Sequence, residues 1–365
     1  LVSDIKKCEG LALIDPHGDL AEDILHFIPE SRMEDIIYLT PADMEFPVAF
    51  NPLDSVNEES RFLVVSGLIS IFKKIWPDYW GPRLEHILRY SLLTLLEYQN
   101  STLLDLPKLL LDNKFRAEVL KHVNDPVVKE FWRFQADKQS VLLKSDAVSP
   151  ILNKMGQLSA STPLRYILGQ SKNTFNLRQV MDEGKILIVN LSKGRIGEDN
   201  CALLGAMMVS SIMLSAMSRA DIPEDKRKPF YLYVDEVHNF LTLAFADILS
   251  ESRKYGLNLI LAHQYLGQLD EKVRSAIFGN VGTIISFQAG AEDAQPLARE
   301  FYPVFEASDL IALPRYHIYL KIMIDGSTCK PFSAKTLPPP KSGVSIKREI
   351  VELSRIKYGR PRIDV

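Results

Sequence analysis

The stretch that most constrains this chain is Pro229-Phe230-Tyr231-Leu232-Tyr233-Val234-Asp235-Glu236. Tyr231 to Val234 are β-formers with no charge among them, as a central parallel strand requires. Asp235 and Glu236 fall where the strand runs out, which is the edge at which open α/β sheets bind ligands. A strand that simply ends in a capped turn reads the same way, so the stretch has to be weighed with the rest of the chain.

Other short apolar runs share this pattern. Leu11 to Ile14 is a buried strand ending in Asp15-Pro16-His17-Gly18-Asp19, and Leu20 to Phe27 follows as a helix with Asp19 as its cap. Ile36 to Leu39, Lys185 to Leu191, Leu257 to Ala262 and Gly282 to Phe287 read as further strands. Helices are expected at Asp199 to Arg219, Ala244 to Tyr255 and Glu292 to Phe301. Strands alternating with helices predict an α/β fold with a doubly wound, mostly parallel sheet. Tyr316 to Ile324 alternates strictly and leads into Asp325-Gly326, a hairpin signal.

Between about Glu58 and Leu168 the rhythm changes to helical periodicity. Phe62, Val65, Leu68, Ile69 and Phe72 form one stripe, and a second helix starts at Pro82. Asn113 to Val123, Pro126 to Ala136 and Ser140 to Ser159 read as further helices of an inserted all-α domain. The expected division is therefore 1–57 and 169–336 as two parts of one α/β domain, and 58–168 as the insertion. Residues 337–365 read as a Pro-rich linker with a peripheral basic tail. Leu1, Ile5 and Cys8 lie on one helical face with no cap before them, so the first residues read as the tail of a helix.

Composition narrows the class. The 365 residues are 46% hydrophobic and 24% charged, which is ordinary for a globular protein. No apolar run is expected to span a bilayer, and no signal peptide is visible. Cys8, Cys201 and Cys329 are far apart, which disfavours a zinc site or a disulfide framework and fits a reducing compartment. The net charge of -3 is no signature of nucleic-acid binding, although a channel lined with basic residues remains compatible with it.

An apolar strand ending in Asp-Glu is the Walker B pattern. The first acid, Asp235, would help hold the Mg²⁺ of a bound nucleotide, and the second, Glu236, would orient or deprotonate the attacking water. Gln264 ends the next strand in Leu261-Ala262-His263-Gln264, where a polar side chain can sense a phosphate or that water. Asp15 is a further candidate at the same edge, with the more ambiguous His17 beside it. Ser192 to Gly197 reads either as a phosphate-binding loop or as a flexible turn. Arg253 reads either as a solvated residue or as a finger reaching a neighbouring subunit's nucleotide. Trp76, Tyr79 and Trp80 suit core packing better than base stacking. No G-x-x-x-x-G-K-[ST] occurs anywhere in the sequence, so the phosphate cradle of a P-loop is missing from these residues.

The order of Ile14-Asp15-Pro16-His17-Gly18-Asp19, Phe50-Asn51-Pro52-Leu53, the helical insertion, Tyr233-Val234-Asp235-Glu236, Ser252-Arg253-Lys254-Tyr255-Gly256 and Leu261-Ala262-His263-Gln264 resembles the FtsK–HerA superfamily. Within it, the chain resembles the TraG/TraD-type coupling proteins of conjugation and type IV secretion. The resemblance implies a RecA-like ATPase domain using ATP and Mg²⁺, assembled as a homo-oligomer, commonly a hexamer, around DNA in a central pore. It implies Asp235 and Glu236 as Walker B acids, Gln264 as sensor and Arg253 as a finger acting in trans. Relaxosome or secretion-channel proteins would be partners. The place of action would be the cytoplasm or the cytoplasmic face of the inner membrane, with membrane contact only through segments upstream. The missing P-loop departs from the pattern and points to a fragment that by itself hydrolyses no ATP. Two alternatives stay open: a HerA-like motor for DNA processing or packaging, and a non-hydrolysing docking module.

Overall fold

A computed structural model describes residues 1–54, 56–137, 148–324, 326–340 and 346–364. The chain opens with α1 (Val2–Lys6), β1 (Gly10–Asp15), α2 (Asp19–Ile24) and β2 (Ile36–Leu39). The helical block follows: α3 (Arg61–Ile75), α4 (Pro82–Leu96), α5 (Leu106–Leu111), α6 (Asn113–Leu120), α7 (Pro126–Asp137), α8 (Ser149–Ala160) and α9 (Thr162–Leu168). The start of the helix expected from Ser140 lies outside the described residues. The α/β rhythm resumes with α10 (Leu177–Glu183), β3 (Ile186–Asn190), α11 (Lys193–Ile196), α12 (Glu198–Met217), β4 (Phe230–Val234), α13 (Leu243–Leu249) and β5 (Leu257–Leu261).

Strands β1 to β5 form one parallel sheet in the order β2-β3-β1-β4-β5. Every residue of β1 and β3 is buried, as apolar runs covered on both faces should be. Alternate side chains serve the two faces. Leu11, Leu13, Ile186 and Ile188 pack with Ala21, Ile24 and Leu25 of the α2 segment. Ala12, Ile14, Leu187, Val189, Leu232 and Val234 belong instead to the core shared with α12 and the helical block. The crossover β1-α2-β2 thus covers one face and β3-α12-β4 the other. The loops leaving β1 and β3 diverge at the sheet's C-terminal edge, which makes that edge a switch point.

Helix α12 joins the two parts of the molecule, because α3 of the helical block packs along it. With its continuation to Asp221 it is long and apolar enough to cross a bilayer by length and composition alone, contrary to the expectation that no run would be. Its apolar surface goes instead into the core: Leu203, Leu204, Met207, Met208 and Ile212 are all buried. Gly205 lets this helix meet the turn after β4, since a Cβ there would sit 2.3 Å from Cε1 of Phe240.

Beyond β5 come α14 (Glu271–Asn280), β6 (Ile284–Ser286), α15 (Ala291–Phe301), α16 (Ala307–Ile311), β7 (His317–Lys321), β8 (Met323–Ile324), β9 (Ser327–Thr328), β10 (Phe332–Lys335) and α17 (Lys347–Tyr358). The strand expected over Gly282 to Phe287 does not join the parallel sheet. β6 pairs antiparallel with β7 in a three-stranded sheet β10-β7-β6. Ile284 and Tyr319 pack with Phe301 and Leu310 of α15 and α16, so this segment buries its apolar face against its own sequel and not against β5. β8 and β9 pair as the predicted hairpin, with Asp325 of its loop outside the described residues. Two further expectations change. The helix predicted to Tyr255 stops at Leu249 and is followed by a 3-10 turn, Ser252–Tyr255. The tail read as peripheral carries α17, which docks on β2: Ile350 is buried and Ser354 Oγ accepts a 2.8 Å hydrogen bond from the Tyr38 amide. Trp76 stacks on Phe72 at 4.8 Å between ring centroids, in keeping with the core-packing reading.

Candidate active site

Asp15, Asp235, Glu236 and Gln264 come to one edge because β1, β4 and β5 are parallel and in register. Ile14 pairs with Val234 and Val234 with Leu261, so each strand delivers its next residues at the same level. The Asp235 amide donates to Ile14 O at 3.1 Å, which continues the ladder beyond the last strand residue.

Glu236 then turns sharply. Its φ of 45° and ψ of 51° are left-handed, a region that a residue with a Cβ enters only when its surroundings impose it. The Val237 amide donates to Ala262 O at 2.8 Å and the Asn239 amide to Glu236 O at 3.0 Å. These bonds fold the exit from β4 into a 3-10 turn, Val237–Asn239, and send the Glu236 side chain toward β5. Glu236 is 8% exposed, and its Oε1 accepts a 2.5 Å hydrogen bond from Gln264 Nε2. Its Oε2 lies 3.4 Å from His238 Nδ1 and has no hydrogen-bond partner. A buried carboxylate oxygen without a partner costs free energy, which an added donor would recover.

The neighbouring groups tune the edge. Burial pushes the Asp235 carboxyl above its ordinary value, and the charges of Asp15 and Glu236 add to this. Burial lowers both His238 and His263 from the usual imidazole value, so both favour the neutral form at neutral pH. Neither histidine was singled out from sequence. The position of His238, two residues beyond Glu236, was the available signal.

Asp15 has a defined structural role. It is fully buried, and its carboxylate accepts the His17 amide at 2.9 Å and the Ala21 amide at 2.8 Å. It therefore does the capping expected of Asp19, which is itself the first residue of α2. The exchange follows from Gly18, whose φ of 97° swings the chain back over the end of β1. A side chain at Gly18 would also strike Asn190, since an added Cβ would lie 2.5 Å from its Oδ1. Asp15→Ala leaves the buried Ala21 amide and the part-buried His17 amide unpaired and is expected to cost about 3 kcal/mol in urea unfolding. A loss below about 1 kcal/mol would show that the cap is dispensable.

His17 is exposed in the same loop. The loop that follows β3 folds as α11, with Ser192 in a left-handed conformation and its Oγ donating to Asn190 Oδ1 at 2.6 Å. Arg253 is not part of this cluster. It is exposed in the turn that precedes β5, at the opposite edge of the sheet.

Among the described residues no group of three or more His, Cys, Asp or Glu could hold a metal ion. The acid pair fits a different case, a Mg²⁺ held by one or two carboxylates with the phosphates of a nucleotide. The orphaned Glu236 oxygen and the partly buried Asp235 are the observations that fit it.

A parallel sheet flanked by helices carries, at one edge, the partly buried Asp235 and buried Glu236 at one strand end and the Gln264 amide on the next strand, which defines an α/β architecture with a polar cluster at the C-terminal edge of its sheet. Solved structures share the fold. The plasmid coupling protein TrwB in complex with the non-hydrolysable ATP analogue ADPNP superposes with a TM-score of 0.59 at 13% identity, over 94% of this chain and 83% of that one. TrwB with ADP and Mg²⁺ gives 0.60 at 13% identity over 89% and 78%. VirB4 of Thermoanaerobacter pseudethanolicus gives 0.58 at 13% identity over 93% and 84%. Residues 229–301 match the family described as the TraM recognition site of TraD and TraG. None of the curated proteins matches the chain in sequence. The chain thus has the RecA-like fold expected of it, and it resembles the TraG/TraD-type coupling proteins in fold over most of its length and in sequence over 229–301.

Proposed function

We propose that this chain is motor machinery of an ATP-driven DNA translocase, a coupling protein of conjugation or type IV secretion. The observation that carries the reading is the Glu236–Gln264 pair, in which a buried, left-handed glutamate is fixed at 2.5 Å by an amide from the next strand. A carboxylate held this way can accept a proton from water at one oxygen while the other stays pinned. Gln264 keeps Glu236 in one rotamer, and Asp235 stands beside it as the metal-side acid. A nucleotide-bound Mg²⁺ would supply neutralisation of phosphate charge here. The residues that would cradle the phosphates are not among these 365, since no G-x-x-x-x-G-K-[ST] occurs. The cytoplasm, or the cytoplasmic face of the inner membrane, is the proposed place of action. A ring of subunits around DNA follows from the resemblance, and the match of 229–301 supports contact with a relaxosome protein. That same match, with the missing cradle, also supports the rival reading of a docking module without hydrolysis.

ATP hydrolysis by the full-length protein, with and without duplex DNA, separates the two. The motor reading expects Mg²⁺-dependent turnover that DNA stimulates, and no turnover under either condition would leave the docking module. The Asp235 carboxyl, raised by burial, takes up a proton at a higher pH than an ordinary aspartate as pH falls. Mg²⁺-nucleotide affinity should therefore weaken on acidification earlier than an unperturbed carboxylate would allow. Asp235→Asn should remove that pH dependence together with much of the affinity; an unchanged acid limb in the variant would assign it elsewhere.

A further inference from the structure

The turn that carries Glu236 is tied to the helical block by one side chain. Lys74, in the last turn of α3, donates from Nζ to His238 O at 2.5 Å and to Leu241 O at 2.6 Å. These carbonyls lie at the end of the 3-10 turn Val237–Asn239 and just beyond it, where a helix has carbonyls in excess of its own donors. A lysine there acts as a C-terminal cap reaching in from another element. Four residues upstream on α3, Ser70 Oγ accepts the Ala244 amide at 3.4 Å, so the same helix face also meets the start of α13.

The contact spans parts of the chain more than 160 residues apart. It is also costly. Lys74 is exposed as a whole, yet its ammonium is turned onto the two carbonyls and loses hydration, and burial lowers its pKa to about 8. Asp270, at the cap of α14, opposes this shift, and His238 is the other titratable group facing it. Because the value falls on folding, the charged lysine costs stability in full below about pH 8, and the cost fades as pH rises toward the unfolded value of 10.5. A cavity of about 420 Å³ lies alongside, lined by Lys73, Lys74, Trp80, His238, Leu241 and Asp270.

We propose that Lys74 is a positioning residue through which the helical block sets the geometry of Glu236. By capping the turn after β4 it holds Glu236 in the left-handed conformation that meets Gln264. A load on the helical block that draws α3 away releases the cap, and the acid loses its place. The inference rests on the reading of Glu236 as the hydrolytic acid, and the test keeps the two apart.

Lys74→Met and Lys74→Arg in the full-length protein are compared by amide hydrogen exchange and by kinetics. Lys74→Met is expected to speed exchange at Phe240 and Leu241 about tenfold while β1 and β3 stay protected. It is expected to lower kcat about a hundredfold, as a misplaced catalytic group does, with nucleotide affinity unchanged. Lys74→Arg, which keeps two donors and a charge, should restore both. Unchanged exchange in Lys74→Met overturns the proposal, as does faster exchange with unchanged kcat. Exchange that rises equally throughout the sheet, with no rescue by arginine, also overturns it, because that marks plain destabilisation. If the wild-type protein hydrolyses nothing, the motor reading fails, and the exchange measurement still decides whether Lys74 holds the turn.

Discussion

Replacing Glu236 by glutamine is expected to abolish ATP hydrolysis by the full-length protein and to leave nucleotide binding intact. Glutamine has the shape of glutamate and keeps a carbonyl oxygen that can accept from Gln264 Nε2, so the 2.5 Å contact has a replacement. The Val237 and Asn239 amide bonds and the Lys74 contacts that hold the turn are all untouched by this substitution. What disappears is the charge and the capacity to take a proton. Loss of a general base typically costs a factor of 10² to 10⁴, or about 3–5 kcal/mol of barrier. The measurements are single-turnover hydrolysis and nucleotide affinity on the same preparation. A variant that keeps more than about a tenth of the wild-type rate would remove Glu236 from this role. Gln264→Ala should have a smaller effect, because it frees the carboxylate without removing it.

Arg253→Ala is expected to produce a loss of similar size by a different route. The turn Ser252–Tyr255 stands just before β5, whereas Glu236 stands just after β4, which runs parallel. A five-residue strand spans about 17 Å, so Arg253 lies too far away to serve its own subunit's Glu236. The turn is nevertheless firmly held. Arg219 is fully buried and donates to Tyr255 O at 3.1 Å and to Lys228 O at 2.7 Å, while Arg227 donates to Lys254 O. Two arginines thus brace a turn that presents a third to solvent. A finger acting in trans contributes about 10³ or more to kcat. Arg253→Ala should abolish hydrolysis with nucleotide affinity nearly unchanged. Mixing it with Glu236→Gln should restore activity, because some interfaces then pair an intact acid with an intact arginine. Once subunit exchange is confirmed, activity no higher than either parent at every mixing ratio returns Arg253 to the solvated reading.

The sequence by itself determined the strands and their chemical ends. Runs such as Leu11 to Ile14 and Ile186 to Val189 are too apolar to be anything but buried, and a strand reports its own burial through its own residues. Since parallel strands must end at one edge, the acids of Asp235-Glu236 and the amide of Gln264 are legible as neighbours in the sequence. The tertiary structure decided whatever depends on partners distant in sequence. That Asp15 caps α2 in place of Asp19 depends on a backbone reversal at Gly18, and an Asp offers the same oxygens wherever it sits. That β6 pairs with β7 and leaves β5 alone depends on which apolar faces α15 and α16 cover, and a three-residue strand carries too little pattern to show it. The hold of Lys74 on the turn after Glu236 was out of reach altogether. A lysine at the end of an amphipathic helix looks solvated from sequence, and only packing α3 against α12 brings its ammonium to carbonyls more than 160 residues away.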